Sequence, residues 1–266
     1  MKSHRLLIIL LAGITAVVIA AFVLTITNDT GPHDVPAYPA SITAPTERTF
    51  PDLSPSVLPP TTDLFGNRLE VSHDESGVVL PQDPSSRPDP TRPDYLTATP
   101  ARMQWQRGWG GAALPVSGSD GPTRIHDGIA TGFGRTPQGA ALAAFDALAR
   151  ALAAPESVWQ QVVRERYYGG GQALLERFAR SRERTRDAAR YVVVPDGVRV
   201  QPGYRDDLAV VQFATRDDLG YTISTWPMAW IDGDWRVRVP DDIETLWGPG
   251  ASTPTSSGFG SWKATS

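Results

Sequence analysis

Residues 136–152, TPQGAALAAFDALARAL, contain the strongest helix signal in the chain. The fold class is predicted from the elements that follow this helix along the sequence. Thr136 can act as an N-cap, and Pro137 takes the first helical position, where a missing amide proton costs nothing. The large apolar positions recur at helical spacing and form one stripe. They are Ala141, Phe145, Leu148 and Leu152. We therefore predict a helix that packs this stripe, including Phe145, against the core.

Two more helices and then an antiparallel meander are predicted after this helix. The second helix covers residues 156–168 and the third covers residues 172–190, with Gly169, Gly170 and Gly171 breaking the chain between them. The pattern then changes to the alternation of strands. The strands are predicted at residues 191–194, 198–200, 208–215, 221–231 and 235–239. Asp232-Gly233 is the strongest hairpin signal in the chain. Helices followed by strands predict an α+β fold, with the helices packed on one face of a curved antiparallel sheet.

The N-terminal segment from Leu6 to Leu24, LLIILLAGITAVVIAAFVL, has no charged residue and is long enough to cross a bilayer. A cleaved signal peptide is the alternative, although its apolar core usually has only about 7–15 residues. Lys2 and Arg5 precede the segment, and positive flanks stay in the cytoplasm. Residues 1–27 are therefore predicted to form a cytoplasmic tail and a single transmembrane helix, which places the rest of the chain outside the cell membrane.

The remainder of the chain divides by composition. Residues 28–100 are rich in proline and threonine, and frequent proline prevents helix or sheet from propagating, so an extended extracytoplasmic linker is predicted. Within it, Leu64 to Leu80 contains apolar residues around a turn-like sequence and indicates a short docked strand pair. The α+β domain is predicted at residues 101–248. Residues 249–266 are rich in glycine, serine and threonine and are predicted to form a flexible tail.

Composition argues against several classes of function. The chain has no cysteine, which excludes disulfides, thiolate zinc sites and cysteine nucleophiles. Its net charge of −4 gives no basic field, so no direct nucleic-acid binding is expected. The histidines, His4, His33, His73 and His126, lack the paired spacing of a metal site. His126 beside Asp127 is a candidate base, but a surface turn is the favoured interpretation. We therefore predict no catalytic, cofactor or metal site.

Two groups of residues are candidates for binding. The third predicted helix contains a run of arginines mixed with acids, and such runs usually form solvated faces. If this face instead meets an acidic partner, the candidate contact residues are Arg180, Arg184 and Arg186. The second group is Trp226, Trp230 and Trp235, which are more typical of a core. The concave face of a curved sheet can hold a ligand, so a small-molecule pocket stays open as an alternative.

Three resemblances follow from these patterns. The element order over residues 120–245, with the hairpin 230–237 (WIDGDWRV), resembles the cone-like fold of the nuclear-transport-factor-like superfamily. Four segments are similar to a family of actinobacterial membrane proteins associated with integrative and conjugative elements. They are residues 103–107 (MQWQR), 114–117 (LPVS), 120–123 (DGPT) and 132–144 (GFGRTPQGAALAA). The layout of tail, helix, linker and cone-like domain is similar to the inner-membrane scaffold subunit of type IV secretion and conjugation systems.

These features lead to one expected function and two rivals. We expect a non-enzymatic envelope component, a scaffold or accessory subunit of a conjugation or type IV secretion-like apparatus. It would act through contacts with other envelope proteins or with copies of itself. One rival is an exported domain that binds or transforms a small ligand in the concave face of the sheet. The other is a cell-surface accessory protein that the anchor simply tethers. The sequence does not separate this last rival from the expected function.

Overall fold

The computed structural model describes residues 58–263, which form three α-helices and two main β-sheets. The helices are α1 (Pro137–Ala153), α2 (Trp159–Arg166) and α3 (Gly171–Arg184). The strands are β1 (Leu58–Thr62), β2 (Arg68–Val71), β3 (Gln104–Arg107), β4 (Ala113–Val116), β5 (Arg124–His126), β6 (Ile129–Thr131), β7 (Tyr167–Tyr168), β8 (Gly197–Val200), β9 (Leu208–Asp217), β10 (Gly220–Ile231), β11 (Asp234–Arg238) and β12 (Ala251–Thr253). The α+β fold class is confirmed.

The N-terminal predictions fall largely outside this range. The segment from Leu6 to Leu24 and residues 28–57 of the predicted linker are not among the described residues. Between residues 58 and 263, no helix is both long enough and apolar enough to cross a bilayer.

The larger sheet is built around β10. Its strand order is β7-β11-β10-β9-β8, and β12 also pairs with β10. Strand β9 follows β10 along almost its whole length on one side. On the other side, β11 pairs with one end of β10 and β12 pairs with the other end. Asp232 and Gly233 form the two-residue loop between β10 and β11, both with positive φ. This geometry is that of a primed hairpin turn, and the hairpin prediction is confirmed.

Helix α1 lies between the larger sheet and a smaller one of order β1-β2-β3-β4. Fourteen of its 17 residues are buried, including residues opposite the predicted stripe. The predicted packing of helices on a sheet therefore describes only one side of α1, because the smaller sheet covers its other side. The small alanine side chains around the helix let both sheets approach it closely, and a helix that is apolar on most sides is suited to a buried position.

The predicted third helix is shorter in the structure. Helix α3 ends at Arg184, and Asp187 has a positive φ of 55°. The chain then makes a 3₁₀ turn at Ala188–Tyr191, and Val192, Val193 and Val194 continue as buried loop in place of the predicted strand. Between Phe178 and Tyr191 the sequence has no large apolar side chain to bury, so nothing stabilises further helical turns against the core.

The prediction of an extended linker is wrong for residues 58–100, which belong to the folded domain. Strands β1 and β2 pair within this segment, and Leu69 is fully buried. The Val194 amide donates to the Asp63 carboxylate at 2.8 Å, and the Gln138 side chain donates to the Tyr95 carbonyl at 2.6 Å. Frequent proline does prevent helix here, but it does not prevent the segment from docking through hydrogen bonds to distant residues.

The prediction of a flexible tail is wrong for residues 251–263. Strand β12 pairs with β10, and the Trp262 side chain is 2% exposed. The Trp262 indole donates to the Thr97 carbonyl at 3.0 Å, and the Trp105 indole donates to the Trp262 carbonyl at 2.8 Å. The buried Trp262, the Phe259 ring under the Arg199 guanidinium at 4.2 Å and the Lys263–Asp196 ion pair at 2.7 Å together hold this segment on the domain.

Candidate functional site

An apolar cavity of about 120 Å³ opens between the inner face of the larger sheet and α1. We call it the sheet pocket. The sheet contributes Phe213 and Thr215 from β9 and Ser224 and Trp226 from β10. Alternate residues of a strand point to one face, which explains why these four side chains share a wall. The remaining lining residues are Phe145, Leu148, Leu152, Ser181, Thr185, Ala188, Tyr191, Val192, Val193, Leu246, Trp247 and Gly248.

The helical wall of the sheet pocket comes from the stripe predicted for α1. Phe145 packs edge-to-face against Phe213 at 5.3 Å between ring centroids and against Trp105 at 5.0 Å. Leu148 and Leu152 follow on the same face, closer to the opening, and both are half-buried. The stripe therefore has two roles: Phe145 belongs to the core, while the two leucines form part of the pocket surface.

Trp247 closes the pocket from the C-terminal side, in the 3₁₀ turn Ile243–Trp247. The Arg177 guanidinium lies 4.6 Å from the Trp247 ring centroid, and the Phe178 ring packs edge-to-face with it at 5.0 Å. Arg177 also binds Glu244 in the same turn at 2.8 Å. Burial lowers the pKa of Arg177, and the hydrogen bond that Arg177 donates to the Glu244 carboxylate opposes that effect. Helix α3 thus holds this wall in place through an arginine.

The polar part of the lining consists mainly of hydroxyl groups. Ser224 accepts a hydrogen bond from the Trp226 indole at 3.1 Å, and Ser181 accepts one from Arg177 at 2.8 Å. The hydroxyls of Thr185 and Thr215 form no hydrogen bond with any residue in the range 58–263. A mostly apolar lining with a few polar groups is the usual composition of a site that accepts an apolar group.

A basic depression adjoins the sheet pocket and shares Leu152, Thr185 and Ala188 with it. Its arginines are Arg182, Arg186 and Arg190. The Arg190 guanidinium lies 5.8 Å from the ring centroid of Tyr191, a residue of the sheet pocket itself. Arg186 and Arg190 are exposed, so two guanidinium groups are available beside the pocket opening.

Arg182 is not available in this way, because it binds the end of α1. Its guanidinium donates to the carbonyls of Ala151, Leu152 and Ala154 at 3.1, 2.6 and 2.7 Å. It also lies 5.2 Å from the Trp159 ring centroid. The last carbonyls of a helix have no partners within the helix, and a cation there also stabilises the helix dipole. Burial lowers the pKa of Arg182.

The structure therefore separates the arginine run into inward and outward members. Arg177 and Arg182 point into the domain, whereas Arg180 and Arg184 lie on the exposed face of α3. Arg186 is also exposed but lies beyond the end of the helix. Within the described part of the chain, Arg180, Arg184 and Arg186 form no ion pair.

Of the three predicted tryptophans, only Trp226 lines the sheet pocket. Trp235 is fully buried elsewhere, and Trp230 packs edge-to-face on it at 5.4 Å.

His126 and Asp127 form a solvent-exposed pair at 3.3 Å in the turn between β5 and β6, which confirms the surface-turn interpretation. Residues 58–263 contain no group of three or more histidine, cysteine, aspartate or glutamate side chains that could hold a metal ion.

Two buried ion pairs were not predicted from the sequence. Asp146 and Arg150 are both fully buried, 2.7 Å apart on α1. Arg166 of α2 binds Asp234 at 2.8 Å, and Asp234 also accepts the amide of Gly132 at 3.0 Å. Burial raises the pKa of the Asp146 carboxyl, while the Arg150 guanidinium acts to lower it. The spacing of Asp146 and Arg150 by four residues was the one available signal.

Two of the segments that carry the family resemblance, residues 120–123 and 132–144, meet at the start of α1, and the other two pair with each other as β3 and β4. Asp120 accepts hydrogen bonds from Thr136 and Ser119, both at 2.6 Å. The Thr136 hydroxyl in turn accepts the Gly139 amide at 2.9 Å, which confirms its predicted role as N-cap. A buried carboxylate at this position is stabilised by the positive end of the helix. These contacts give the motif residues a role in holding α1 between the sheets.

No curated protein and no solved structure matches the chain. The sequence profile of one family, described as "Domain of unknown function (DUF8175)", matches residues 70–261. This range begins in β2 and includes α1, the sheet pocket, both buried ion pairs and all four motif segments. The match covers well over half of the sequence, and on that ground the chain belongs to the DUF8175 family.

Proposed function

We propose that this protein is a non-enzymatic, membrane-anchored component of the cell envelope that works through protein–protein contacts. The helix from Leu6 to Leu24 would hold it as a single-pass protein with a cytoplasmic N-terminus and an extracytoplasmic domain. The resemblances in its motifs and layout favour a scaffold or accessory subunit of a conjugation or type IV secretion-like apparatus. In the same proposal, the larger sheet is the curved wall of a cone-like domain.

One observation carries this proposal. Arg180, Arg184 and Arg186 are exposed and form no ion pair within residues 58–263, whereas other arginines of the same run are paired inside the domain. Exposed cations without internal partners are suited to steering and holding an acidic surface. The partner would be another envelope protein or a second copy of this chain.

Charge reversal tests the contact surface. Replacing Arg180, Arg184 and Arg186 together by aspartate should reduce crosslinking to partners in membranes and reduce transfer or secretion by the host element. The domain should stay folded, because exposed substitutions usually change stability by less than about 0.5 kcal/mol. A matched control reverses Arg124, Arg164 and Arg238, which are exposed elsewhere on the domain. Normal crosslinking and transfer in the first variant, or normal transfer after deletion of the gene, would contradict the proposal.

Topology is tested separately. A reporter that is active only outside the membrane should be active when fused after Ser266, because Lys2 and Arg5 hold the N-terminus in the cytoplasm. Activity of a cytoplasm-only reporter at the same position would reverse the orientation.

The sheet pocket favours a second candidate function, the binding of a small apolar ligand by the exported domain. Its mostly apolar lining and concave position support this alternative. Native mass spectrometry of the purified full chain would detect a co-purified metabolite. A bound metabolite, combined with normal transfer after gene deletion, would replace the scaffold proposal with this one.

A further inference from the structure

We infer that the sheet pocket and the adjoining basic depression form a docking site for an acidic segment of a partner protein. The segment would insert one aromatic or branched aliphatic side chain into the pocket and place a neighbouring carboxylate on Arg186 and Arg190. This inference rests on the proposed function, since it specifies the chemistry of the partner that the scaffold holds.

The size of the pocket limits which side chain of the partner can be inserted as the anchor residue. Its volume is about 120 Å³. An engineered apolar cavity of roughly 150 Å³ holds one benzene molecule, so the sheet pocket has room for about one ring or one branched side chain. A long acyl chain would exceed this volume. The aromatic walls, Phe213, Trp226 and Trp247, offer the close contact that makes a single buried anchor residue dominate an interface.

The basic depression favours a negative charge on the partner residues that flank the anchor side chain. Arg186 and Arg190 are exposed in the depression that adjoins the pocket, where Asp187 is the only acid. Neither arginine forms an ion pair within the described residues. Guanidinium groups bind carboxylates with two parallel hydrogen bonds, which favours an aspartate or glutamate beside the anchor.

The unpaired hydroxyls complete the site. Thr185 lies on the wall that the pocket and the basic depression share, and Thr215 lies on the sheet wall. Both are half-buried, so each can hydrogen-bond to the backbone of a segment that crosses the opening. A docked peptide could therefore fill the apolar pocket, pair with the two arginines and hydrogen-bond to the threonine hydroxyls. An apolar ligand would contact only the pocket.

Photocrosslinking from inside the pocket tests this inference in the full chain in native membranes. The probe is p-azidophenylalanine in place of Tyr191, a half-buried pocket residue, because this side chain differs from tyrosine only by an azide in place of the hydroxyl. Mass spectrometry of the crosslinked product should identify a protein segment with an aromatic or branched aliphatic residue next to aspartate or glutamate. A crosslink to a lipid or metabolite, a crosslink to a basic segment, or no crosslink would overturn the inference.

Further substitutions, combined with the probe at position 191, show which surface is needed for the crosslink. Thr215→Trp fills the pocket and should lower the crosslinking yield roughly tenfold, as loss of a central anchor does. Its control, Thr225→Trp, places the same side chain on the exposed opposite face of the larger sheet and should leave the yield unchanged. Arg186→Asp with Arg190→Asp should also lower the yield, more than Arg180→Asp with Arg184→Asp. Equal yields across these variants would contradict the docking site.

The docking site and the proposed scaffold function can fail separately. If Thr215→Trp leaves both the transfer function and general chemical crosslinking to partners intact, the docking site is wrong and the scaffold function stands. If no partner is trapped at any position and deletion of the gene leaves transfer intact, the proposed function itself is wrong.

Discussion

Arg150 is a cation that the fold removes completely from water. Besides its bond to Asp146, it donates to the Ser76 carbonyl at 2.8 Å and to the Gly128 carbonyl at 2.9 Å. It therefore connects α1 to the segment before β3 and to the turn between β5 and β6. Each of these bonds satisfies a buried group that would otherwise lose its hydrogen bonds to water.

Substitution of Arg150 should be strongly destabilising. Arg150→Met keeps most of the volume but leaves the Asp146 carboxylate and two carbonyls without their donor. Removing one partner of a buried ion pair typically costs about 3–5 kcal/mol, and we expect a loss of that order in urea unfolding. Arg164→Met, on the exposed side of α2, is the control and should change stability by less than about 0.5 kcal/mol. A loss below about 1 kcal/mol for Arg150→Met would mean that the network adds little.

Helix α1 is the element that organises the domain. It starts at the capping residue that its sequence indicates, and its apolar stripe faces the larger sheet. Its other side, which includes Asp146 and Arg150, is also buried, and Arg150 donates there to the carbonyls of Ser76 and Gly128. Local periodicity identifies the helix and one buried face. It does not identify the second buried face, because that face carries polar residues whose partners lie far away in the sequence.

Substitution of Phe145 tests how this helix packs against the core. The side chain is 6% exposed and contacts two aromatic rings, so Phe145→Ala should destabilise the protein by about 3–5 kcal/mol through lost contacts and a new cavity. Thermal unfolding of the purified chain measures the effect. Leu219→Ala, at a side chain that is 86% exposed, should leave the melting temperature unchanged. An unchanged melting temperature for Phe145→Ala would show that α1 faces the core differently.

At the scale of the whole molecule, the folded domain includes residues 58–100. Without residues 58–100, the domain loses the buried Leu69, the Ser76 acceptor of Arg150 and the Tyr95 acceptor of Gln138. A fragment of residues 58–266 should therefore unfold cooperatively, whereas residues 101–266 should be unfolded or much less stable. Circular dichroism on heating compares the two. Equal melting temperatures would restore the linker interpretation of residues 58–100.

Some features follow from short-range pattern alone. The start of α1, the order of helices before the main strands of the larger sheet from residue 137 onward, and the Asp232-Gly233 hairpin are of this kind. Each depends on neighbouring residues: a cap within three positions, a repeat along one helix face, or two residues that accept positive φ. For the arginine run, the mixed charges favour a solvated face for the run as a whole and do not distinguish Arg180, Arg184 and Arg186 from the inward Arg177 and Arg182.

Other features were decided only by tertiary structure. The docking of residues 58–100 and 251–263 depends on partners such as Val194, Gln138 and Trp105, which are distant in the sequence. The division of the arginine run depends on Trp159 and Trp247, which lie in other elements, and the sheet pocket is assembled from both helices and strands. Composition sets which conformations a segment can adopt locally. The burial it gains, and therefore whether it stays docked, depends on which surfaces the rest of the chain presents to it.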